Sequence, residues 1–474
     1  MAVTNKNLPL LHRKEWQMMT LAPAGSSAGT LVIADDNGNA DDALYVATGS
    51  AHWIYSHKED GFTQIPSGAL AGAYGTGACG VRHPWSINYT ANGGSTTTVT
   101  IPAATYLMTG LAVGSTIEFL SAGIATGFKT TILSYLNGQG SGLGNITLTL
   151  ATAAPTAILS AHTFRLSTGR YYVWSAGTTA AGSFKVFDTA TQTWQASLSI
   201  VSAPATWGTD GEMVLAYNYG ETYAAGTATS GTTTTITNTA KTWGVNQWAN
   251  AQVRITGGTG LGQKANITSN TANVLTLPAM TVSPDATSTY VIEGSEDYLY
   301  LIGNASVTTY RFQISTNTWT TLAPTTARSG AAASGVTGDF VGATGDAQWA
   351  SESAILDGRF IYSLRGGGSN AIDRFDIALN AWGVTGYLSE FPNTGSMTFF
   401  LGKWLFIKLN NSHRFFKWSV TDNVLMPLST NFYADGTATT GHRLWVKNYD
   451  ATKSIQWLYS VQSSGTTMHR IMLF

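Results

Sequence analysis

The sequence has 474 residues, a formal net charge of −1 at pH 7 and 11% charged residues. Such a chain lacks the basic face that electrostatic binding of nucleic acid needs, so we expect no nucleic-acid partner. With 43% hydrophobic residues it is also too apolar for a disordered protein. The 51 glycines, together with many aromatic residues, indicate short strands joined by tight turns.

Targeting and cross-linking signals are few. Cys79 is the single cysteine, which excludes an intrachain disulfide and a cysteine-based metal site. No run of about 18 apolar residues occurs, so we expect no membrane-spanning segment and no membrane partner. The first 16 residues lack the apolar stretch of a signal peptide, so the sequence predicts no export.

One pattern occurs five times along the chain. A large apolar residue is followed seven positions later by another, with turn-forming residues between them; the pairs are Tyr55 and Phe62, Phe187 and Trp194, Phe312 and Trp319, Phe375 and Trp382, and Trp418 and Leu425. The pattern predicts a strand that ends at the first residue and another that begins at the second. Two further strands are predicted upstream of each pair, for example over 351–357 before the fourth pair.

Each repeat therefore predicts a four-stranded unit of roughly 45–60 residues, the size of a propeller blade. A sixth unit begins near residue 441 and lacks its fourth strand, which the segment after Lys14 can supply. We expect an all-β fold with a six-bladed β-propeller closed by the N-terminal strand. Its predicted blade anchors are Trp16, Phe62, Trp194, Trp319, Trp382 and Leu425.

The repeated text resembles kelch-type β-propellers. The resemblance rests on an apolar strand, then Phe187-Asp188 and Thr193-Trp194 in one repeat, and Thr318-Trp319 followed by Pro324 in the next. The double glycine of the kelch pattern is present as Gly366-Gly367. The resemblance implies a kelch-like propeller over most of the chain outside its insertions.

Two insertions interrupt the repeats, and their sequences align with each other. The first module covers 89–166 and the second module covers 225–292, with GGSTTTVTIPAATY in one matching SGTTTTITNTAKTW in the other. Each predicts a small β-barrel or sandwich placed between the first two strands of its blade. The predicted domains are an N-terminal arm over 1–14, propeller over 15–88, 167–224 and 293–474, and the two modules.

The second module also resembles small β-modules that recur in virion proteins of tailed bacteriophages. The matching text runs over 253–263, VRITGGTGLGQ, and over 267–272, ITSNTA. The resemblance implies a non-enzymatic structural protein located in the virion, in the capsid decoration, neck or tail. Its partners would be other virion proteins and copies of itself. An alternative is a carbohydrate-binding propeller that recognises a host glycan, and a less favoured one is a propeller glycosidase such as a sialidase.

Candidate sites for chemistry are weak. Oxygen ligands at Asp35, Asn37, Asn39 and Asp41 could hold Ca²⁺, and the alternative is a polar hairpin turn. His52 and His57 are expected to lie on the surface, and no histidine has metal-site spacing. We predict neither a cofactor nor a metal.

No catalytic constellation is evident either. A sialidase needs three arginines, and Arg82, Arg328, Arg359 and Arg365 could face a channel without identifying a triad. A Cys–Tyr copper site with His ligands is disfavoured because Cys79 is expected to lie outside any blade strand that could meet such a Tyr and His set. The sequence therefore predicts no catalytic residue.

The segment 323–350 is Gly- and Ala-rich and predicts an unusually long connection between blades. Phe340, Val341 and Trp349 would be exposed in it, and Leu8, Leu10 and Leu11 have no blade to join. We expect these six residues to contact a partner subunit or particle protein, with folding back onto their own propeller as the alternative.

Overall fold

The structure is a computed structural model that describes part of the chain. The described residues are 17–21, 32–35, 42–46, 52–56, 59–65, 78–101, 115–120, 128–136, 146–175, 183–188, 193–194, 197–205, 212–216, 222–295, 298–303, 306–314, 316–328, 340–342, 360–366, 369–389, 395–400, 404–409, 415–419, 422–428, 443–450, 455–461 and 467–472. These residues form an all-β protein, with strands and no helix in the described ranges. Among them, accordingly, no apolar helix of membrane-spanning length occurs.

The first sheet follows a short N-terminal strand. The N-terminal strand is β1 (Gln17–Met18). The sheet has four strands in chain order, β2 (Val32–Asp35), β3 (Asp42–Val46), β4 (His52–Ser56) and β5 (Gly61–Ile65).

The second sheet shares two long strands with the first module. Its first strand is β6 (Cys79–Asn92), which is followed by β7 (Thr98–Ile101), β8 (Thr116–Phe119), β9 (Lys129–Leu136) and β10 (Ile146–Leu150). The sheet then continues with β11 (Ser160–Trp174), β12 (Phe184–Asp188) and β13 (Thr193–Trp194). Strand β11 pairs with β6 along most of its length, with β12 at its C-terminal end and with β8 nearer its N-terminal end.

The third sheet is interrupted by the second module at the equivalent point. It begins with β14 (Glu212–Ala216) and resumes with β23 (Tyr298–Ile302), β24 (Thr309–Gln313) and β25 (Thr318–Leu322). Between them lie β15 (Thr222–Thr227), β16 (Ser230–Thr232), β17 (Thr235–Thr237), β18 (Gln252–Gly257), β19 (Lys264–Asn266), β20 (Ser269–Asn270), β21 (Val274–Thr276) and β22 (Thr289–Glu293).

Three more four-stranded sheets complete the chain. The fourth has β26 (Phe340–Gly342), β27 (Phe360–Gly366), β28 (Ser369–Asp376) and β29 (Ala381–Tyr387). The fifth has β30 (Gly395–Phe400), β31 (Trp404–Leu409), β32 (Phe415–Ser419) and β33 (Val424–Leu428). The sixth has β34 (Arg443–Asp450), β35 (Ile455–Val461) and β36 (Met468–Met472), and β1 is its fourth strand.

The pairing of β1 with β36 confirms the predicted junction between the two ends of the described chain. Gln17 lies opposite Arg470 and Met18 opposite His469 in antiparallel register. The first strands of the sheets also contact one another in chain order, β2 with β6, β6 with β14, β14 with β26, β26 with β30, β30 with β34, and β34 with β2.

The five predicted hairpins are confirmed residue by residue. Tyr55 lies directly opposite Phe62, Phe187 opposite Trp194, Phe312 opposite Trp319, Phe375 opposite Trp382, and Trp418 opposite Leu425. Cross-strand aromatic pairs of this kind stabilise a sheet face. Trp319 and Trp382 are buried, whereas Phe62, Trp194 and Leu425 are half-buried. Trp16 lies outside the described residues.

Apolar cores lie between consecutive sheets. Trp174 and Phe184 of the second sheet pack with Phe312 and Trp319 of the third. Further cores join the third sheet to the fourth and the fourth to the fifth. The predicted anchor Trp319 therefore packs between neighbouring sheets. The centres of its ring and of the Trp174 ring are 5.3 Å apart.

Turn residues link three of the sheets, the first, third and fourth, to the sheet before each of them. Asp60, Asn317 and Asn380 have φ of 50°, 54° and 48°, in the left-handed region that Asn and Asp tolerate. Each bonds to the segment after the last strand of the preceding sheet. Thr20 N donates to Asp60 at 3.1 Å, Ser199 N donates to Asn317 Oδ1 at 2.8 Å, and Asn380 Nδ2 donates to Ala323 O at 2.9 Å.

Two expectations are wrong. The segment 323–350 is not a plain connection, because it contains Phe340–Gly342, the first strand of the fourth sheet, which pairs with β27. His52 is not on the surface: it is 1% exposed and packs 4.9 Å from Trp194. The strand expected over 351–357 lies outside the described residues. Cys79 lies on a sheet strand and is buried at the start of β6, in the core between the second and third sheets.

Candidate functional modules

The first module is a small, nearly closed β-barrel. Strands β7 to β10 and the adjoining ends of β6 and β11 pair in the order β6-β11-β8-β9-β10-β7. A bridge between Gly94 and Val99 and the bond from Thr100 N to Gly93 O join β7 back to β6. The barrel encloses an apolar core that extends in sequence from Tyr89 to Leu166.

The second module contains two four-stranded sheets around one core. Their strand orders are β15-β22-β18-β19 and β16-β17-β21-β20. Ile236, Val253, Leu275, Tyr290 and Ile292 are all at most 1% exposed in that core. The module therefore has an interior of its own, apart from the sheet into which it is inserted.

The two modules share a hydroxyl-rich turn. In the first, Thr97 N donates to Ser95 Oγ at 3.1 Å, and Ser95 Oγ lies 2.8 Å from Thr98 Oγ1. In the second, Thr234 N donates to Thr232 Oγ1 at 3.2 Å, and Thr232 Oγ1 lies 2.8 Å from Thr235 Oγ1. The matching Ser/Thr-rich sequences thus form the same turn in both modules.

The two modules also have equivalent backbone hydrogen bonds, in these turns and elsewhere. Leu150 N donates to Thr97 O at 2.8 Å, and Leu277 N donates to Thr234 O at 2.9 Å. Ile132 N donates to Ser115 O at 2.9 Å, and Ile267 N donates to Ala251 O at 2.7 Å. The sequence alignment of the two modules therefore corresponds to one repeated structure.

Each module has one glutamate held between two cations. Glu118 forms ion pairs with Lys129 and Arg165 in the first module. Burial raises the pKa of Glu118, but hydrogen bonds and attraction from Arg165 and Lys129 outweigh it, so the pKa is below its usual value.

The cluster in the second module is more enclosed. Glu293 is 4% exposed and lies 3.1 Å from Arg254 and 3.4 Å from Lys264. Burial lowers the pKa of Lys264, with Glu293 acting against the shift. Both clusters are fully engaged in structural ion pairs, so neither provides a free acid or base.

The glycine-rich loop of the second module is a rigid, exposed tip. Gly258, Gly260 and Gly262 have φ of 70°, 83° and 85°, which only glycine adopts readily. Thr259 Oγ1 donates to Asp285 at 2.7 Å and fixes the loop, while Leu261 is 66% exposed at its end. In the first module Leu120, which follows β8, and Leu159, which precedes β11, are exposed.

The second module also contacts the third and fourth sheets. Gln247 Nε2 donates to Ala378 O at 3.1 Å, and Tyr298 OH donates to Asn250 O at 3.3 Å. Between these contacts is a small cavity of about 30 Å³, bordered by residues that include Tyr223, Trp248, Tyr298, Tyr300 and Arg311. No pattern in the sequence predicted this junction.

Most of the candidate metal ligands and contact residues lie outside the described part of the chain. Asp35 ends β2, whereas Asn37, Asn39 and Asp41 lie outside the described residues, as do His57, Arg359, Trp349, Leu8, Leu10 and Leu11. The described ranges contain no cluster of three His, Cys, Asp or Glu that could hold a metal. The calcium site therefore stays a prediction.

Two of the candidate arginines share one carboxylate. Arg365 Nε donates to Asp373 Oδ2 at 3.1 Å, and Arg328 Nε lies 3.5 Å from the same oxygen. Burial lowers the pKa of Arg328 to about 10, with Asp373 opposing. Arg328 is 4% exposed, so this pair holds strands together rather than facing a ligand. Arg82 lies on β6, and its side chain is outside the described part.

The partner-contact candidates Phe340 and Val341 lie on β26, opposite Ser363 and Tyr362. A backbone ladder fixes them, so they are not part of a plain loop. Their contact with a partner stays a prediction.

Comparison with known proteins gives no relative, because no family model and no curated protein matches the sequence.

Proposed function

We propose that this chain is a non-enzymatic structural protein of a tailed-bacteriophage particle. In this proposal the six four-stranded sheets are blades of a β-propeller, and the two modules make contacts with other particle proteins. Support for the propeller comes from the cyclic order of the first strands, the Asx turns that link consecutive sheets, and the addition of β1 to the sixth sheet. A ring removes exposed sheet edges, which suits a protein built for assembly.

The observation that carries the proposal is the repeated module. Two copies of one structure are inserted after the first strand of consecutive sheets, at β6 and β14. In a propeller, equivalent connections of neighbouring blades emerge on one face. The two modules would therefore stand side by side, and each has exposed apolar side chains, Leu261 in the second module and Leu159 in the first. The second module also carries the text that resembles phage virion modules.

Particle composition tests this proposal. Particles purified from cultures that produce the chain should contain it at a constant copy number set by particle symmetry, as measured by quantitative mass spectrometry. Leu261→Ser, on the tip of the second module, should lower incorporation. Val201→Ser is the matched control, because Val201 is 74% exposed and lies outside both modules. Absence of the chain from intact particles would exclude the proposal.

A glycan receptor is the second candidate, and exposed aromatic rings would favour it. Among the large apolar side chains that the described ranges leave exposed, Tyr387 is the one aromatic residue, at 64% exposure. This supports a protein-contact role over sugar stacking. A screen of the whole chain against immobilised host glycans separates the two, because only the receptor should give saturable binding.

A further inference from the structure

Arg311 is a half-buried cation that packs against an aromatic ring and borders the cavity at the junction of the second module. Its guanidinium carbon lies 4.5 Å from the centre of the Tyr298 ring. Tyr300 lies directly opposite Arg311 on the neighbouring strand. Burial lowers the pKa of Arg311, but the tyrosines around it outweigh this effect and raise the pKa above its usual value.

The charge of Arg311 has no carboxylate beside it in the described part of the chain. Arg165, Arg254, Arg328 and Arg365 each lie within ion-pair distance of a glutamate or aspartate, and among the described residues Arg311 does not. A half-buried guanidinium that is partly shielded from water gains from an anion placed beside it. The cation–π contact favours its position over the Tyr298 ring but does not neutralise its charge.

The cavity limits what can complete the site. A volume of about 30 Å³ holds one or two water molecules or a group of similar size. A pyranose ring is too large, whereas a carboxylate fits and matches the planar fork of a guanidinium. Two neighbours already have other partners, since Gln247 bonds to Ala378 and Ser295 to Asn250. Arg311 is therefore the main recognition group.

We propose that this cavity is a carboxylate-binding site in which Arg311 pairs with the acid group of an acidic amino-acid side chain or of an acidic sugar. The Tyr298 ring holds the guanidinium in place, and its partial shielding from water strengthens the ion pair. Because Gln247 and Trp248 of the module and Tyr298 of the third sheet border the same space, the bound carboxylate clamps the module to that sheet. The proposal does not depend on the function proposed above.

The test uses the full chain and saturation-transfer NMR with small probes. Acetate should receive saturation and the neutral analogue acetamide should not. Arg311→Gln should weaken acetate binding at least tenfold. Arg374→Gln is the matched control, since Arg374 lies 4.2 Å from the Phe360 ring centre and does not border the cavity. Circular dichroism of each variant checks its folding, and the acetate–acetamide comparison needs no variant.

Two further probes identify the source of the carboxylate. Tighter binding of glutamate capped at both ends than of glucuronate supports a protein side chain as the ligand, and the reverse order supports an acidic sugar. Equal saturation of acetate and acetamide, or acetate binding unchanged in folded Arg311→Gln, overturns the proposal. Neither result depends on whether the chain belongs to a particle.

Discussion

At the scale of single residues, aromatic side chains carry much of the contact between sheets. Trp319 is 4% exposed, and its ring lies 5.3 Å from Trp174 and 5.5 Å from Phe184 of the preceding sheet. Its indole Nε1 also donates to Ser199 O at 3.0 Å, beyond the end of that sheet. One side chain thus combines apolar burial with a hydrogen bond across a boundary.

Replacing this side chain measures the strength of the boundary. Trp319→Ala should lower the free energy of unfolding by about 3–5 kcal/mol, because it removes buried surface and leaves a cavity. Tyr387→Ala is the control, since Tyr387 is 64% exposed and its loss should change stability by less than about 0.5 kcal/mol. Denaturant unfolding measures both. Equal effects of the two substitutions would contradict the assignment of Trp319 to the core.

His52 makes stability depend on pH. Burial lowers the pKa of His52 to about 4, while an unfolded histidine has a pKa of about 6.5. Between these values the unfolded chain binds a proton that the native chain does not bind. The free energy of unfolding should therefore fall as the pH drops from 6.5 to 4, by up to about 3 kcal/mol from this residue.

His52→Gln should remove that part of the pH dependence. Unfolding by denaturant is measured at intervals between pH 4 and 7 for the wild type and the variant. The difference between the two free energies should change with pH in that range, because the carboxylates titrate in both proteins and cancel. A constant difference would show that His52 does not titrate as proposed.

At the scale of elements, tight turns decide how each module closes. Gly258 has φ of 70°, and a Cβ on it would lie 2.0 Å from the carbonyl oxygen of Thr287. Two features thus require glycine there, the backbone conformation and the close approach of another chain segment. The other glycine positions of the same loop have related conformations, so the tip is a fixed feature of the module.

Gly258→Ala should therefore destabilise the second module by more than about 2 kcal/mol. Gly383→Ala is the matched control, because a Cβ at Gly383 meets nothing within 4 Å. Hydrogen exchange at Val253 and Tyr290 follows the module separately from the sheets. Protection that is unchanged in Gly258→Ala would contradict the geometry of the loop.

The hairpins were predictable because strand, turn and strand are neighbours in sequence, as for Phe375 and Trp382. The strand at Phe340–Gly342 was not predictable, because glycine and alanine surround it and the segment 351–357, with its apolar run over 354–356, competes for the assignment. The burial of His52 depends on Trp194, which is distant in sequence. Arg311 and Tyr300 were visible only as strand residues, since the cavity needs the second module in place. Patterns of residues that are neighbours in sequence do not predict contacts between distant segments.

At the scale of the whole molecule, the N-terminal strand completes the sixth sheet and reaches the first. Gln17 and Met18 pair with β36, and Thr20 Oγ1 donates to Asp60 O at 2.7 Å in the first sheet. The short segment around β1 therefore joins the sixth sheet, through β36, to the first sheet, through Asp60. Without them β36 would present an unpaired edge.

Deleting residues 1–21 should expose β36 and reduce the yield of soluble, monomeric protein. Deleting residues 1–14 is the control, because it keeps β1 and Thr20. Light scattering and thermal unfolding of the two shortened chains give the comparison. A chain without residues 1–21 that melts and remains soluble like the control would show that β1 does not protect the edge.

The long strands of the first module have a mechanical consequence. Strand β11 has 15 residues, so it extends for about 50 Å and passes from the barrel into the second sheet without a break. A force that pulls on the barrel is distributed as shear over the hydrogen bonds between β6 and β11. The barrel should therefore resist displacement relative to the second sheet. In the described part of the second module no strand continues into its sheet in this way, since β14 ends at Ala216 and β15 begins at Thr222. Under tension the two modules would respond differently, one transmitting force to its sheet and the other bearing it at the junction beside Arg311.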